Sequence, residues 1–273
     1  MKRILLCAAA LLSSYPAAPV QARGGEVPLA SGEGSGSDAA GYSIALGGGA
    51  HQHLLYNSPA RPRGSIVMLP GGAGDVGVES DGDVRHDDNF VVRTRAMWMA
   101  RGYAVIIPDT IDRANLRGLR SSASYADVVA RLVAFAHGRA PGPVFLLGTS
   151  QGSIAAMNGA AHARPGSVAG VVLTESVSVQ GGSHETVFDA DPQDVRIPAL
   201  IVANRDDTCR VAPPADAARI KQALAHSPDA RIAYVSGGQT RSDNACGSLT
   251  PHGYFGIEPQ IVALIASWLQ AHG

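Results

Sequence analysis

Short apolar segments recur along the chain, and polar stretches separate them. Six of these segments have the length and the branched side chains typical of strands that are buried on both faces. They are SIVML (65–69), YAVIIP (103–108), PVFLLG (143–148), VAGVVLT (168–174), PALIVA (198–203) and RIAYVS (231–236). Two earlier segments, GYSIAL and QHLLYN, could add antiparallel strands at one edge.

Most of the intervening stretches have the periodicity of amphipathic helices. In SYADVVARLVAFAHG, Val128, Leu132 and Phe135 fall on one helical face. Near the C-terminus, four apolar residues repeat at i, i+3, i+4 and i+7, namely Ile261, Leu264, Ile265 and Trp268. Strands that alternate with helices pair in parallel through right-handed crossovers. The pattern therefore predicts an α/β fold with a mostly parallel, doubly wound sheet and helices on both faces.

The N-terminal segment has the composition of an export signal. Two basic residues precede the apolar run ILLCAAALL, and small residues follow up to Ala22. This run is too short to cross a membrane, which takes about twenty apolar residues. We therefore predict a secretory signal peptide at 1–22, a flexible Gly/Ser-rich arm at 23–41 and one folded domain at 42–273. The mature protein would be periplasmic or extracellular, without a membrane anchor.

The cysteine content fits such a compartment. Removal of the signal leaves two of the three cysteines, Cys209 and Cys246. Because exported proteins fold in an oxidising environment, we expect these two residues to form a disulfide. The alternative is a pair of inert buried thiols.

The sequence GTSQG at 148–152 has the pattern G-x-S-x-G. It joins the predicted strand PVFLLG to a helix-like stretch, QGSIAAMNGAAHA. In this setting the glycines allow the sharp strand-to-helix turn that exposes a serine hydroxyl. Ser150 is therefore the candidate nucleophile.

A nucleophilic serine needs a base to take its proton, and this base is usually a histidine that a carboxylate orients. The histidines that follow Ser150 are His162, His184, His226, His252 and His272. Positions on or near helix ends and in the terminal residues favour solvated or capping roles for His162, His226 and His272. His184 lies in a loop and stays open. His252 follows the last strand and precedes the terminal helix, so we predict that it is the base.

The carboxylate is expected between the nucleophile and the base, at the end of a strand. Asp206 and Asp207 follow PALIVAN, and Glu175 follows VAGVVLT one strand earlier. All three are chemically able to orient a histidine. The residues alone leave the choice among them open.

With the order serine, acid, histidine, the chain resembles the α/β-hydrolase superfamily over nearly everything after the N-terminal arm. It also resembles a group of exported bacterial serine hydrolases of poorly defined substrate, in the segments PGGAG (70–74), NFVVRTR (89–95), GTSQGS, RDDTC and HGYFGIE. In that group the acid lies two residues before a cysteine, which implies Asp207 followed by Cys209. The chain has Ala203 and Asn204 where the group has histidines, and this weakens the case for a role of those two positions.

A tetrahedral intermediate would need N–H donors near the nucleophile. One donor is expected to be the amide of Gln151, the residue after the nucleophile. The other is expected from the glycine-rich turn in SIVMLPGGAG, where Gly72 is the first choice and Ala73 the second. No lysine follows this turn at the spacing of a nucleotide-binding loop, so phosphate binding is not expected.

Two further features have simpler interpretations. ESDGDVRHDD (79–88) gathers acidic residues around His86, but its spacing fits neither a calcium loop nor a two-histidine zinc motif, so we interpret it as a solvated loop. Arg93 and Arg95 lie on an amphipathic helix, where arginines are expected to pair with surface acids or to cover apolar area. No metal and no cofactor are expected.

Together these residues predict an exported serine hydrolase that acts on carboxylic esters through an acyl-enzyme, with the triad Ser150, His252 and Asp207. The expected substrate is a small-molecule ester, because the interval 175–197 is too short for a large cap over the site. Basic and acidic residues number 22 and 23 and are scattered, which does not favour nucleic-acid binding. The alternatives are a peptidase or amidase with the same triad, and a non-catalytic binding protein on the same fold.

Overall fold

The computed structural model of the protein describes residues 27–28 and 38–273. The strands are β1 (Val27–Pro28), β2 (Asp38–Gly47), β3 (Ala50–Ser58), β4 (Gly64–Leu69), β5 (Tyr103–Ile111), β6 (Val144–Thr149), β7 (Gly170–Thr174), β8 (Ala199–Asn204) and β9 (Ala230–Val235). They form one sheet in the order β1-β2-β3-β5-β4-β6-β7-β8-β9. The strands β4 to β9 pair in parallel, while β1, β2 and β3 pair antiparallel and β3 joins β5 antiparallel.

Helices cover both faces of this sheet. They are α1 (Phe90–Arg93), α2 (Arg95–Met99), α3 (Ala123–Arg139), α4 (Gln151–Ala161), α5 (Ala217–Ala223) and α6 (Glu258–His272). The apolar side chains of α3, α4 and α5 form one core layer against the sheet. Those of α1, α2 and α6 form a second layer on the opposite face. The doubly wound α/β architecture predicted from the sequence is therefore confirmed.

The apolar segments correspond to strands as predicted, with one difference in burial. Every residue of β4, β6, β7 and β8 is buried, as expected for parallel strands between two helical layers. RIAYVS was expected to be buried on both faces, but most of β9 is partly or fully exposed. The physical reason is its position at the edge of the sheet, where it pairs only with β8 among the described strands.

The N-terminal boundary of the folded domain differs from the prediction. Val27 and Pro28 pair with Ser43 and Tyr42, and β2 begins at Asp38. Part of the segment predicted to be a flexible arm therefore pairs in the sheet. The predicted signal peptide lies outside the described residues. Among the residues that the structure describes, none of the helices has both the length and the apolar content to cross a membrane.

The connection between β7 and β8 leaves the carboxyl edge of the sheet without a large cap, as predicted. All of this connection is described, and its helical parts are two short 3₁₀ helices, Val187–Asp189 and Pro192–Asp194. The carboxyl ends of the parallel strands are where ligands bind in open α/β sheets. The residues that follow β4, β6, β7 and β8 accordingly meet in one site.

Candidate active site

Ser150 lies in a sharp turn between β6 and α4. Its backbone has φ 52° and ψ −124°, a conformation that a residue other than glycine adopts at a cost. The neighbouring glycines make the turn possible: a Cβ atom at Gly152 would overlap the carbonyl oxygen of Leu69, and one at Gly148 would overlap the carbonyl oxygen of Gly152. This geometry is that of a nucleophile elbow, in which the serine side chain points away from the strand and the helix.

A chain of two hydrogen bonds connects Ser150 to a histidine and a carboxylate. His252 Nε2 is 2.9 Å from Ser150 Oγ, and His252 Nδ1 is 2.7 Å from Asp207 Oδ2. The side chains of His252 and Asp207 are 3% and 0% exposed. Asp207 Oδ1 accepts a further hydrogen bond of 2.8 Å from the backbone N–H of Cys209. With Nδ1 donating to Asp207, Nε2 of a neutral His252 is free to accept the serine proton.

The structure places the other candidate histidines away from the hydrogen-bonded series Ser150–His252–Asp207. His162 forms an ion pair of 3.6 Å with Asp191, and His226 Nδ1 lies 2.6 Å from a backbone carbonyl. At the end of α6, His272 Nε2 lies 3.0 Å from Asp229 Oδ2. His184 is exposed in its loop. Their contacts are those of surface and capping residues.

The glycine-rich turn after β4 lies beside Ser150. Gly72 has φ +59°, and both Gly72 and Ala73 line the same cavity as Ser150 and His252. Gln151 is the first residue of α4, where backbone N–H groups have no acceptor within the helix. Gln151 thus adjoins the serine, and Gly72 and Ala73 line the cavity beside it.

The cavity at Ser150 has a volume of about 490 Å³. Its walls are the turn after β4, the loop that leads into α1 and the loop that carries His252. Arg85 and His86, from the predicted solvated loop, also line the cavity. His86 pairs with Asp75 and Arg85 pairs with Glu79, and all four side chains are more than half exposed. The cavity is of the size expected for a small ligand.

A disulfide joins the acid loop to the histidine loop. Cys209 and Cys246 are bonded, with their Cα atoms 4.7 Å apart and a sequence separation of 37. Cys209 is buried two residues after Asp207, and Cys246 lines the cavity six residues before His252. The bond therefore limits the separation of the two loops that carry the acid and the base.

A second carboxyl group, that of Glu175, lies next to the Asp207–His252 pair. Glu175 follows β7 with φ 43°, and its side chain is buried. Its Oε1 accepts a hydrogen bond of 2.8 Å from the backbone N–H of Asn204. Burial, and then the negative charge of Asp207, raise the pKa of Glu175 well above its ordinary value.

These three groups have the donor types of a metal site, since ligand atoms of Glu175, Asp207 and His252 lie within 4.8 Å of one another. The spacing of two of them does not fit a tetrahedral zinc ion. Two ligands held by zinc at about 2 Å each in tetrahedral geometry would lie roughly 3.3 Å apart. The separation between His252 Nδ1 and Asp207 Oδ2 is 2.7 Å, which is the length of a charge-assisted hydrogen bond.

Solved structures of similar architecture are known, although no family model and no curated protein matches the sequence. An esterase of Pyrococcus furiosus matches with a TM-score of 0.63 at 9% identity, over 86% of this chain and 91% of that chain. A dienelactone hydrolase of Anabaena variabilis matches with a TM-score of 0.58 at 16% identity, over 86% and 98%. A proline iminopeptidase of Mycobacterium smegmatis matches with a TM-score of 0.57 at 13% identity, over 85% and 98%.

The chain has the α/β-hydrolase fold. At identities this low, the likeness establishes the architecture and not the reaction. In this fold the elbow serine, the acid and the histidine occupy the carboxyl edge of the sheet, which is where the structure places Ser150, Asp207 and His252.

On this α/β-hydrolase framework, Asn204 has a role that the sequence interpretation discounted. Its side chain is fully buried and donates hydrogen bonds to the carbonyl oxygens of Gly237, at 2.9 Å, and Pro251, at 3.0 Å. The second bond fixes the residue before His252. By contrast, the carboxylate of exposed Asp206 accepts a hydrogen bond of 2.6 Å from the backbone N–H of Gly237.

Arg120 supports the glycine-rich turn beside Ser150 and was missed by sequence reasoning. This fully buried side chain donates to the carbonyl oxygens of Gly72, at 3.0 Å, and Pro70, at 3.3 Å. Burial lowers the pKa of its guanidinium group. Nothing in the sequence around Arg120 indicates this contact, because the two segments are 48 residues apart.

Arg93 supports the histidine side of the site. It forms an ion pair of 2.8 Å with Glu258 and donates to the carbonyl oxygens of Gly253, at 2.8 Å, and Ser248, at 3.3 Å. The sequence interpretation expected Arg93 to pair with a surface acid or to cover apolar area; it pairs with an acid, but both members of the pair are mostly buried. Arg95, the first residue of α2, in contrast donates to the carbonyl oxygen of Val92 in the preceding helix α1, three residues earlier.

Proposed function

We propose that this protein is a serine hydrolase that cleaves carboxylic esters through an acyl-enzyme. The observation that carries the proposal is the hydrogen-bonded chain from Ser150 through His252 to Asp207, which opens on a cavity. A serine alone is a weak nucleophile, and this arrangement supplies the base and the group that orients it. The fold is one that an esterase and a dienelactone hydrolase also have.

The first half of the reaction would form the acyl-enzyme. His252 Nε2 takes the proton of Ser150 as Oγ attacks the ester carbonyl carbon and the carbonyl oxygen becomes an oxyanion. Asp207 stabilises the imidazolium ion and keeps its Nδ1 proton in place. Collapse of the tetrahedral intermediate breaks the bond to the alcohol oxygen, which receives the proton from His252.

The second half would release the acid. A water molecule gives a proton to His252 and attacks the acyl carbon. The new intermediate then expels Ser150 Oγ, which regains its proton. In both halves the N–H groups of Gln151 and of Gly72 or Ala73 are the proposed oxyanion donors. Each such donor contributes about 3 kcal/mol to transition-state stabilisation in comparable sites.

A fluorophosphonate probe tests the proposed nucleophile. We expect the probe to label the folded wild-type protein and to leave Ser150→Ala unlabelled. Ser267→Ala is the matched control, because Ser267 is an exposed serine on α6, and it should be labelled like the wild type. Absence of labelling in a folded wild type, or equal labelling of Ser150→Ala, would contradict the triad and favour a binding protein on this fold.

The substrate class requires a second measurement. The same triad can cleave amides, and a proline iminopeptidase shares the fold. We expect small p-nitrophenyl and alkyl esters to be hydrolysed with a higher kcat/KM than aminoacyl p-nitroanilides. The reverse ranking would assign the protein to the peptidases or amidases.

We also propose that the protein is exported. The Cys209–Cys246 disulfide supports this proposal, because such bonds persist in oxidising compartments. Expression of the full chain followed by N-terminal sequencing of the secreted or periplasmic product should give a first residue at or near Arg23. An uncleaved N-terminus in a purely cytoplasmic product would contradict it.

A further inference from the structure

Glu175 has no step in the proposed reaction, although its carboxyl group lies beside the acid–base pair. It follows β7, while Asp207 follows β8 closely, and the two strands pair in parallel with Thr174 opposite Val202. The carboxyl ends of adjacent parallel strands meet at one edge of the sheet. The topology therefore brings two carboxyl groups to one histidine.

Counting of hydrogen bonds indicates which carboxyl group carries a proton. Both oxygens of Asp207 accept hydrogen bonds, from Cys209 N–H and from His252 Nδ1. Glu175 Oε1 accepts one from Asn204 N–H, but within the described residues Oε2 is buried without a donor, because the single proton of the neighbouring Tyr254 hydroxyl goes to the carbonyl oxygen of Val202. A buried carboxylate with an unpaired oxygen is costly, whereas a proton on Oε2 turns that oxygen into a donor.

We propose that Glu175 is a neutral carboxylic acid that donates a hydrogen bond from Oε2 to Asp207 and thereby acts as a positioning residue for the Asp207–His252 pair. This inference rests on the proposed function only in giving that pair a catalytic role. The protonation state itself does not depend on it.

The surroundings of Glu175 keep the proton in place. The titratable groups that face it are Asp207, His252 and Tyr254. Tyr254 is fully buried, its hydroxyl donates to the carbonyl oxygen of Val202 at 3.0 Å, and burial raises its pKa well above the ordinary value. Asp207 is thus the facing group that carries negative charge, and two adjacent carboxyl groups of this kind share one proton rather than both ionising.

A neutral Glu175 has two consequences for the site. His252 experiences the charge of one carboxylate instead of two. Asp207 receives an additional hydrogen bond, which restricts the orientation of its carboxylate relative to the imidazole. Both effects act through Asp207, without contact between Glu175 and the substrate.

Infrared spectroscopy of the wild-type protein tests the protonation state without any substrate. At neutral pH we expect the C=O band of a protonated carboxylic acid, which shifts when glutamate is selectively labelled with ¹³C and disappears in Glu175→Gln. A folded wild-type protein that lacks this glutamate band would overturn the proposal. A failed fluorophosphonate experiment would instead contradict the proposed function and leave this result standing.

The charge next to His252 gives a second test. Glu175→Gln replaces a neutral acid by a neutral amide that can still donate to Asp207 and accept from Asn204 N–H. NMR titration of the His252 imidazole should therefore show the same midpoint in Glu175→Gln as in the wild type. A fall of about one pH unit or more would show that an ionised carboxylate had been removed, and would overturn the proposal.

Activity then separates positioning from simple packing. Glu175→Gln should keep kcat/KM within about threefold, whereas Glu175→Leu, which fills similar space without a donor, should lose roughly tenfold or more. Equal losses in both variants, with unchanged melting temperatures, would contradict a role as a hydrogen-bond donor. If Glu175→Leu does not fold, the infrared and NMR measurements on the wild type and Glu175→Gln decide.

Discussion

The sharp turn at Ser150 depends on glycines close to it in sequence, whereas Asp207 and His252 are held by contacts between distant segments. The elbow depends on Gly148 and Gly152, which allow β6, Ser150 and α4 to pass close to one another and to β4. The proposed acid and base are 45 residues apart; Asp207 lies in a loop, and His252 lies in a single 3₁₀ turn, Pro251–Gly253. The two halves of the site therefore require different kinds of support.

The support of the acid–base half consists of cross-links. The Cys209–Cys246 disulfide spans 37 residues, and the hydrogen bond from Asn204 to Pro251 spans 47. Arg93 reaches Gly253 across 160 residues. Loss of an elbow glycine should therefore disturb the fold itself, while loss of a single cross-link should weaken a loop that other contacts still hold.

The largest effect is expected at the elbow. In Gly152→Ala the new Cβ atom would overlap the carbonyl oxygen of Leu69 and crowd that of Pro70, and neither backbone atom can move without shifting a strand. We expect destabilisation by more than about 3 kcal/mol, measured as loss of soluble yield or a lower melting temperature. Gly182→Ala is the control, because a Cβ atom there meets nothing within 4 Å. Equal stability of the two variants would show that the elbow tolerates a side chain.

The second effect separates the neighbouring aspartates. Asp207→Asn keeps the shape of the side chain but favours the wrong tautomer of His252, which in a comparable triad lowers kcat by roughly 10⁴-fold. Asp206→Asn should change kcat/KM by less than about threefold, since Asp206 is exposed and contacts the Gly237 backbone. Ester hydrolysis by both variants is the measurement, and a larger loss in Asp206→Asn would exchange their roles.

The local half of the site was also the half that the sequence predicted best. Strands β4 to β8 are apolar because both faces are covered, and GTSQG encodes its own turn. The residues alone left Glu175, Asp206 and Asp207 equivalent. Only the resemblance to known hydrolases selected Asp207, because burial and the approach of His252 depend on how two loops fold together.

The contacts that sequence analysis missed join segments that are distant in sequence. They lie either around Asp207 and His252 or at the glycine-rich turn after β4. Asn204 was discounted because it departs from a family pattern, yet its buried amide connects two loops. Arg120 is unremarkable in its local sequence, and the sequence predicted an acidic partner for Arg93 but not its contacts with backbone carbonyls, since both residues bind carbonyls far away along the chain. Such contacts leave no periodic or compositional signal, because backbone carbonyls are the same in every sequence.

The third effect concerns the disulfide. In the chain-entropy model, closure of a loop of this length contributes about 4 kcal/mol to the free energy of unfolding. We expect Cys209→Ser to lower the melting temperature and also kcat/KM, because the acid and histidine loops are no longer joined. The matched variant Cys246→Ser should behave in the same way. Unchanged stability and activity, with free thiols in the native wild type, would refute the bridge.

The smallest effect is expected for Arg93→Met, which keeps the apolar length of the side chain but removes its charge. Glu258 and the carbonyl oxygens of Gly253 and Ser248 would lose a donor, which costs about 1–3 kcal/mol of stability for a buried group. Arg95→Met is the control, since Arg95 donates to the nearby carbonyl oxygen of Val92 in α1. We expect a several-fold loss of kcat/KM in Arg93→Met alone.

The double variant Arg93→Met with Cys209→Ser then tests whether the two cross-links support the same loop. If they do, the cross-link that remains in each single variant still holds His252 near Asp207 and Ser150. The double variant should then lose more kcat/KM than the product of the two single losses. Strictly multiplicative losses would mean that Arg93 and the disulfide act on independent parts of the site. In that case the acid–base half would resemble the elbow, with each loop held by contacts of its own.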